Sequence, residues 1–200
     1  AWGKRQMIIK NGERLIELMG NTPHEFVMNY ESKKPLKFVH RTFNGTDLDF
    51  FFRSLRNIYT LHGSLEAVFS PHQSFPGIKG RIINFREAFL ETDHEKRSEK
   101  HISNPLKNSA AKRINMFLRW MVRKDNCGVD LGIWKAIRPA ELCIPLDVHT
   151  ARWAENLEIK TRKQNDWKAL EEIMTVFREL DPKDPSKYDF ALFAIGVFAT

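Results

Sequence analysis

The stretch that decides the fold runs from Asn104 to Arg123 and reads NPLKNSAAKRINMFLRWMVR. Pro105 stops the element before it, because a proline ring disfavours helical backbone in the preceding residue. Asn108 tolerates the left-handed conformation of a tight turn, and Ser109 carries a hydroxyl suited to an N-cap. The segment therefore predicts a hairpin leading into a helix over about 109–123. Within that helix Ile114, Phe117, Leu118 and Met121 take positions i, i+3, i+4 and i+7, a buried stripe, while Lys112, Met116, Arg119 and Arg123 share a second face.

Working outward, the punctuation stays helical. An amphipathic helix is expected over about 4–19. Thr22-Pro23-His24-Glu25 has the form of a capping box with proline at the first helical position. Asp47 and Asp49 fit the first turn of a helix over about 46–62, whose apolar face includes Leu48, Phe51, Phe52, Leu55, Ile58 and Tyr59. Further helices are expected at about 64–69, 78–91, 131–136, 147–157, 166–180 and 185–198, and no period-2 strand appears. Glu91 to His101, ETDHEKRSEKH, has mixed charge and almost nothing to bury, so it reads as a solvated linker or a frayed helix end. The expected fold is all-α: an N-terminal helical lobe over 1–104 and a second lobe over 105–200, packed as one globular unit. With Ala1 in place of an initiator Met and Trp2 beside it, the chain reads as a piece of a longer protein.

Composition agrees with a folded chain. Of 200 residues, 42% are hydrophobic and 28% charged, and 15 Phe with 5 Trp supply a large aromatic core. No apolar run reaches the ~20 residues needed to span a bilayer, so no membrane partner is expected. Cys127 and Cys143 are too few for an iron–sulfur cluster and lack zinc spacing; they read as reduced thiols, and neither a metal nor a cofactor is expected. A net charge of +7 makes a polyanionic partner worth testing, although solubility alone accounts for such a charge in many domains.

A hairpin that presents backbone N–H groups at a helix N-terminus, beside Lys107 and Arg113, suits a phosphate; the bland alternative is a solvated basic face. The second informative segment is Ile144-Pro145-Leu146-Asp147-Val148-His149-Thr150-Ala151-Arg152. Pro145 holds Ile144 extended, and Asp147 is placed to cap the next helix, where the dipole and free N–H groups keep a carboxylate ionised.

Together the two segments resemble the helix-hairpin-helix DNA glycosylase superfamily, which pairs a hairpin of the form L-P-G-x-G-x-K with a later P-x-D-V-H-x-x-R. The first reads here as Leu106-Lys107-Asn108-Ser109-Ala110-Ala111-Lys112, with Lys107 in place of the proline and Asn108 and Ala110 in place of the glycines. The second is matched by Pro145 to Arg152. The long interval 113–146 is similar to archaeal-type 8-oxoguanine glycosylases. The string from Ser109 to Arg123, with Asp181-Pro182 and Asp189 to Phe193, resembles an uncharacterised bacterial family over most of the chain.

The resemblance implies a two-lobed helix-hairpin-helix fold and a base-excision repair glycosylase with β-lyase activity, acting on duplex DNA with a damaged base, an oxidised purine being the expected lesion. It implies Lys112 as the amine that forms a Schiff base with the sugar and Asp147 as the carboxylate that stabilises positive charge there. Lys107, Asn108, Ser109, Ala110, Arg113 and His149 become DNA-contacting residues, with simple packing an equal alternative for His149. Met116 and Trp134 are base-pocket candidates, each with a core role as the alternative. A monomer in the bacterial cytoplasm, associated with the nucleoid when active, is the matching expectation. The rival readings are a non-catalytic helix-hairpin-helix module that binds nucleic acid, and a structural domain in which Lys112 and Asp147 form a salt bridge.

Overall fold

The computed structural model describes residues 2–32 and 36–198. Eight α-helices, joined by short 3-10 turns, account for its regular structure, and the described residues form no strand, only three isolated bridges. The expected all-α class is what the chain adopts. Two compact units are present, one made of residues 1–69 and 84–102, the other of 70–83 and 103–200.

The first unit holds α1 (Arg5–Leu18), α2 (Pro23–Met28), α3 (Gly45–His62) and the end of α4 (Gly77–Leu90). Its core joins Met19, Val27, Tyr30, Phe38, Leu48 and Phe52, with Phe26 and Phe43 packed against them. The capping box is real, but it lies at α3. Asn44 accepts from the Asp47 N–H, and the Asp47 carboxylate accepts from the Asn44 N–H at 2.9 Å. Thr22 precedes α2 without capping it; its hydroxyl donates back to the Met19 carbonyl.

The polar segment 91–101 is not a solvated linker. Residues Lys96–His101 form a 3-10 helix in which Ser98 and His101 are buried. Ser98 donates to Asp47 Oδ1 at 2.6 Å, Arg97 pairs with the same oxygen at 2.8 Å, and His101 Nε2 lies 3.2 Å from Asp47 Oδ2. A fully buried aspartate at the start of α3 gathers the charges that composition had assigned to water.

The second unit contains the start of α4, then α5 (Lys112–Val122), α6 (Val148–Asn156), α7 (Trp167–Leu180) and α8 (Tyr188–Phe198). Helix α6 packs along α8. Helix α5 begins three residues later than its apolar pattern suggests, because Ala111 takes a left-handed conformation with φ 47° and serves as N-cap; Ser109 Oγ instead accepts from the Ala111 N–H. No helix forms over 131–136. Gly132 has φ +61°, and a Cβ there would stand 2.5 Å from the Lys124 Cβ, so the chain turns back at this point and pairs Lys124 with Leu131. Only the 3-10 turn Ala67–Phe69 represents the helix expected over 64–69.

Candidate functional site

Lys112 is the first residue of α5 and Asp147 the N-cap of α6, 35 positions apart. The segment before Asp147 is anchored by Leu142, Cys143, Ile144 and Leu146, all buried. Asp147 Oδ1 accepts from the Thr150 N–H at 2.9 Å, as its place before Val148-His149-Thr150 suggests, and Oδ2 lies 3.5 Å from Lys112 Nζ. The lysine side chain retains 32% of its exposure and the aspartate 17%, so solvent reaches both. Burial pushes the Asp147 carboxyl up, but the hydrogen bond from the Thr150 N–H and the Lys112 ammonium hold it below the usual aspartate value.

The hairpin before Lys112 turns inward on itself. Asn108 adopts φ 61°, as expected of a turn asparagine. The N–H groups of Lys107 and Ser109 donate to the Asn104 carbonyl, and that of Asn108 to the Pro105 carbonyl. The Asn108 amide donates to Asp166 Oδ2 at 2.6 Å, its carbonyl accepts from the Trp167 N–H, and Ser109 bridges to Asp166. Ala110 is buried, with its carbonyl accepting from Asn115. Asn108 and Ser109 thus fasten the turn to the start of α7, Ala110 ties it to α5, and of the hairpin candidates Lys107 stays exposed. Arg113 is half-buried, and burial lowers its guanidinium below the ordinary value.

His149 is exposed on α6, where Gly196 of α8 comes so close that a Cβ there would stand 3.2 Å from the His149 Cβ. Met116 is half-buried on α5. Trp134, also half-buried, meets Phe117 edge-on with ring centroids 5.3 Å apart, and its backbone N–H donates to the Met121 carbonyl. That contact is a packing role against α5.

Helix α5 buries Asn115, Leu118, Arg119 and Val122, a stripe rotated by one residue from the one its apolar pattern gives. Arg119 is consequently not on a solvated face. Its Nη1 reaches Asp189 Oδ2 at 2.5 Å and its Nε reaches Asp130 Oδ1 at 3.3 Å. Arg123 pairs with Asp130 and Asp184, each at 2.9 Å. Sequence reasoning missed these aspartates. The signal for Asp189 was a lone carboxylate heading the apolar run of α8. Burial pushes its carboxyl up and Arg119 pulls it back; with Asp147 as a like charge nearby, the outcome is about 6.

Among the described residues no group of three or more His, Cys, Asp or Glu side chains is placed to hold a metal ion, and no helix is long and apolar enough to cross a membrane. Cys127 is exposed and Cys143 buried, both as free thiols.

A helical protein with a lysine–aspartate pair at two helix starts is the class that fold and site define. The chain belongs to the family described as Protein of unknown function (DUF2400), whose model matches residues 1–198. No curated protein and no solved structure matches it. This corrects the resemblance drawn from the two short motifs: the family whose model matches nearly the whole chain is described only as one of unknown function, and that match gives no glycosylase or helix-hairpin-helix assignment. In the hairpin itself Asn108 and Ala110 stand where the motif has glycines, and the N–H groups of Lys107, Asn108 and Ser109 are spent on the Asn104 and Pro105 carbonyls.

Proposed function

We propose that the protein excises a damaged base, of the oxidised-purine class, from duplex DNA and cleaves the strand by β-elimination, with Lys112 as the amine nucleophile and Asp147 as its carboxylate partner. The supporting observation is the approach of Lys112 Nζ to Asp147 Oδ2 at 3.5 Å, with solvent access to both. An amine attacks only after losing a proton, and Asp147 is the acceptor at hand. Nζ then bonds to the sugar C1′ as the C1′–N bond breaks, and the base leaves with that electron pair and takes up the proton that Asp147 accepted, which restores the Asp147 carboxylate. Ring opening gives an iminium, and loss of a C2′ proton with departure of the 3′ phosphate cuts the strand. The Asp147 carboxylate stabilises positive charge on the sugar. A net charge of +7 favours a polyanionic substrate.

The test is release of free base from duplexes carrying 8-oxoguanine. Release by the unaltered chain, lost in both Lys112→Gln and Asp147→Asn, supports the reading; release that survives Lys112→Gln overturns it.

A second reading, a non-catalytic nucleic-acid-binding module, is favoured by the exposed Lys107 of the hairpin and the net charge of +7, with Lys112 held as an ammonium by Asp147 and so unable to attack carbon. Salt-dependent binding without base release, weakened by Lys107→Ala and little changed by Asp147→Asn, would mark it.

A further inference from the structure

Thr150 joins two carboxylates. Its N–H donates to Asp147 Oδ1 at 2.9 Å and its hydroxyl to Asp189 Oδ1 at 3.4 Å. Asp189 is buried, with 6% of its surface exposed, and its other oxygen is taken by Arg119. That arginine is shared with Asp130, and the neighbouring Arg123 is shared among Asp125, Asp130 and Asp184. Lys112, Arg119 and Arg123 thus pair between them with five aspartates, Asp125, Asp130, Asp147, Asp184 and Asp189. Further charged or titratable groups on the adjoining segments include Arg113 on α5, His149, Arg152 and Glu155 on α6, and Lys187 and Tyr188 at the start of α8, where Lys187 is engaged by Asp181.

We infer that Asp189 is a positioning residue for the Lys112–Asp147 pair, setting through Thr150 and through its own charge whether Asp147 accepts the amine proton of Lys112. The inference rests on the lyase reading above for its consequence, not for its geometry. Asp189 feels the charge of Asp147 and titrates at about 6, so the two carboxyls lose protons in separate steps. Once Asp189 is ionised, its charge makes the nearby Asp147 the stronger base and draws the proton from Lys112. Adduct formation then rises as Asp189 ionises.

The experiment has two arms on the full chain. Carboxyl 13C NMR follows Asp189 in the unaltered protein, in Asp147→Asn and in Thr150→Val, and borohydride trapping on an abasic-site duplex is profiled against pH in the unaltered protein, Thr150→Val and Asp189→Asn. The expected midpoint of Asp189 lies near 6. It should fall by about one unit, a tenfold change in dissociation constant, when the like charge of Asp147 is removed. It should rise in Thr150→Val, where a hydrogen bond to the ionised form is lost, and the break in the trapping profile should rise with it. In Asp189→Asn adduct should still form, without that break. A midpoint unmoved by Asp147→Asn, or a break that persists in Asp189→Asn, overturns the inference. If no adduct forms at any pH, the lyase reading fails, and the carboxyl titrations alone decide whether Asp189 and Asp147 are coupled.

Discussion

Arg119 Nη1 lies 2.5 Å from Asp189 Oδ2, across 70 positions of sequence, and the same guanidinium holds Asp130 through Nε. One buried side chain thereby fixes α5, the loop that follows it and the start of α8. Removing Arg119 leaves the buried Asp189 without its cation while Asp130 keeps Arg123, and breaking a buried ion pair in this way costs about 3–5 kcal/mol. Arg119→Met should lower the urea-unfolding free energy by that order. Arg119→Lys should recover little, since one ammonium lacks the fork that reaches two carboxylates. A change below about 1 kcal/mol in Arg119→Met would contradict the placement.

Asp189 acts on the pH dependence of stability in the opposite sense to the carboxylates held low, among them Asp147 and Asp166. Asp189 has a folded value of about 6 against an ordinary 3.8, so the folded state binds its proton more tightly than the unfolded chain, and this group makes stability fall as pH rises from about 4 to about 6. Asp147 is lowered, and Asp166 is lowered to about 2 chiefly by its hydrogen bonds from Arg162; their contributions are present above about 4 and are lost as pH falls. Urea midpoints across about pH 3 to 7 should show stability passing through a maximum, and Asp189→Asn should flatten the upper limb alone. An unchanged upper limb in that variant would reject the assignment.

Asp166 caps α7 through the Ala169 N–H and also holds Asn108 and Arg162. Replacing an N-cap aspartate by alanine costs about 0.5–2 kcal/mol, and here the hairpin before Lys112 loses its fastening too. In Asp166→Ala, amide hydrogen exchange at residues 107–111 should accelerate together with that at the start of α7. Acceleration confined to α7 would show that the hairpin stands without it.

Gly132 closes the turn that pairs Lys124 with Leu131. Gly132→Ala places a Cβ against the Lys124 Cβ at positive φ and should destabilise by more than about 1 kcal/mol, read as a lower thermal midpoint. An unchanged midpoint would mean that the turn relaxes freely.

Local signals in the sequence were read well where they act locally. The Asp147 cap, the turn at Asn108 and most helix positions follow from capping chemistry and apolar period, because each depends on residues a few places apart. Arg119 was misplaced because period alone assigns a charged residue to solvent, whereas its partners Asp130 and Asp189 stand 11 and 70 positions away. Ser98 and His101 were given to water for the same reason: the buried Asp47 that receives them lies about 50 residues earlier. Lys112 and Asp147 were paired through motif resemblance; their contact holds in the structure although the family behind that resemblance does not.

Whether Lys112 forms a Schiff base with DNA is decided by sodium borohydride trapping. The chain would be incubated with duplexes carrying 8-oxoguanine or an abasic site, beside Lys112→Gln, and any adduct mapped by peptide mass spectrometry. The account predicts a covalent protein–DNA band with both duplexes, absent from Lys112→Gln and mapping to Lys112. An absence of adduct despite measurable DNA binding, or an adduct that persists in Lys112→Gln, would contradict it.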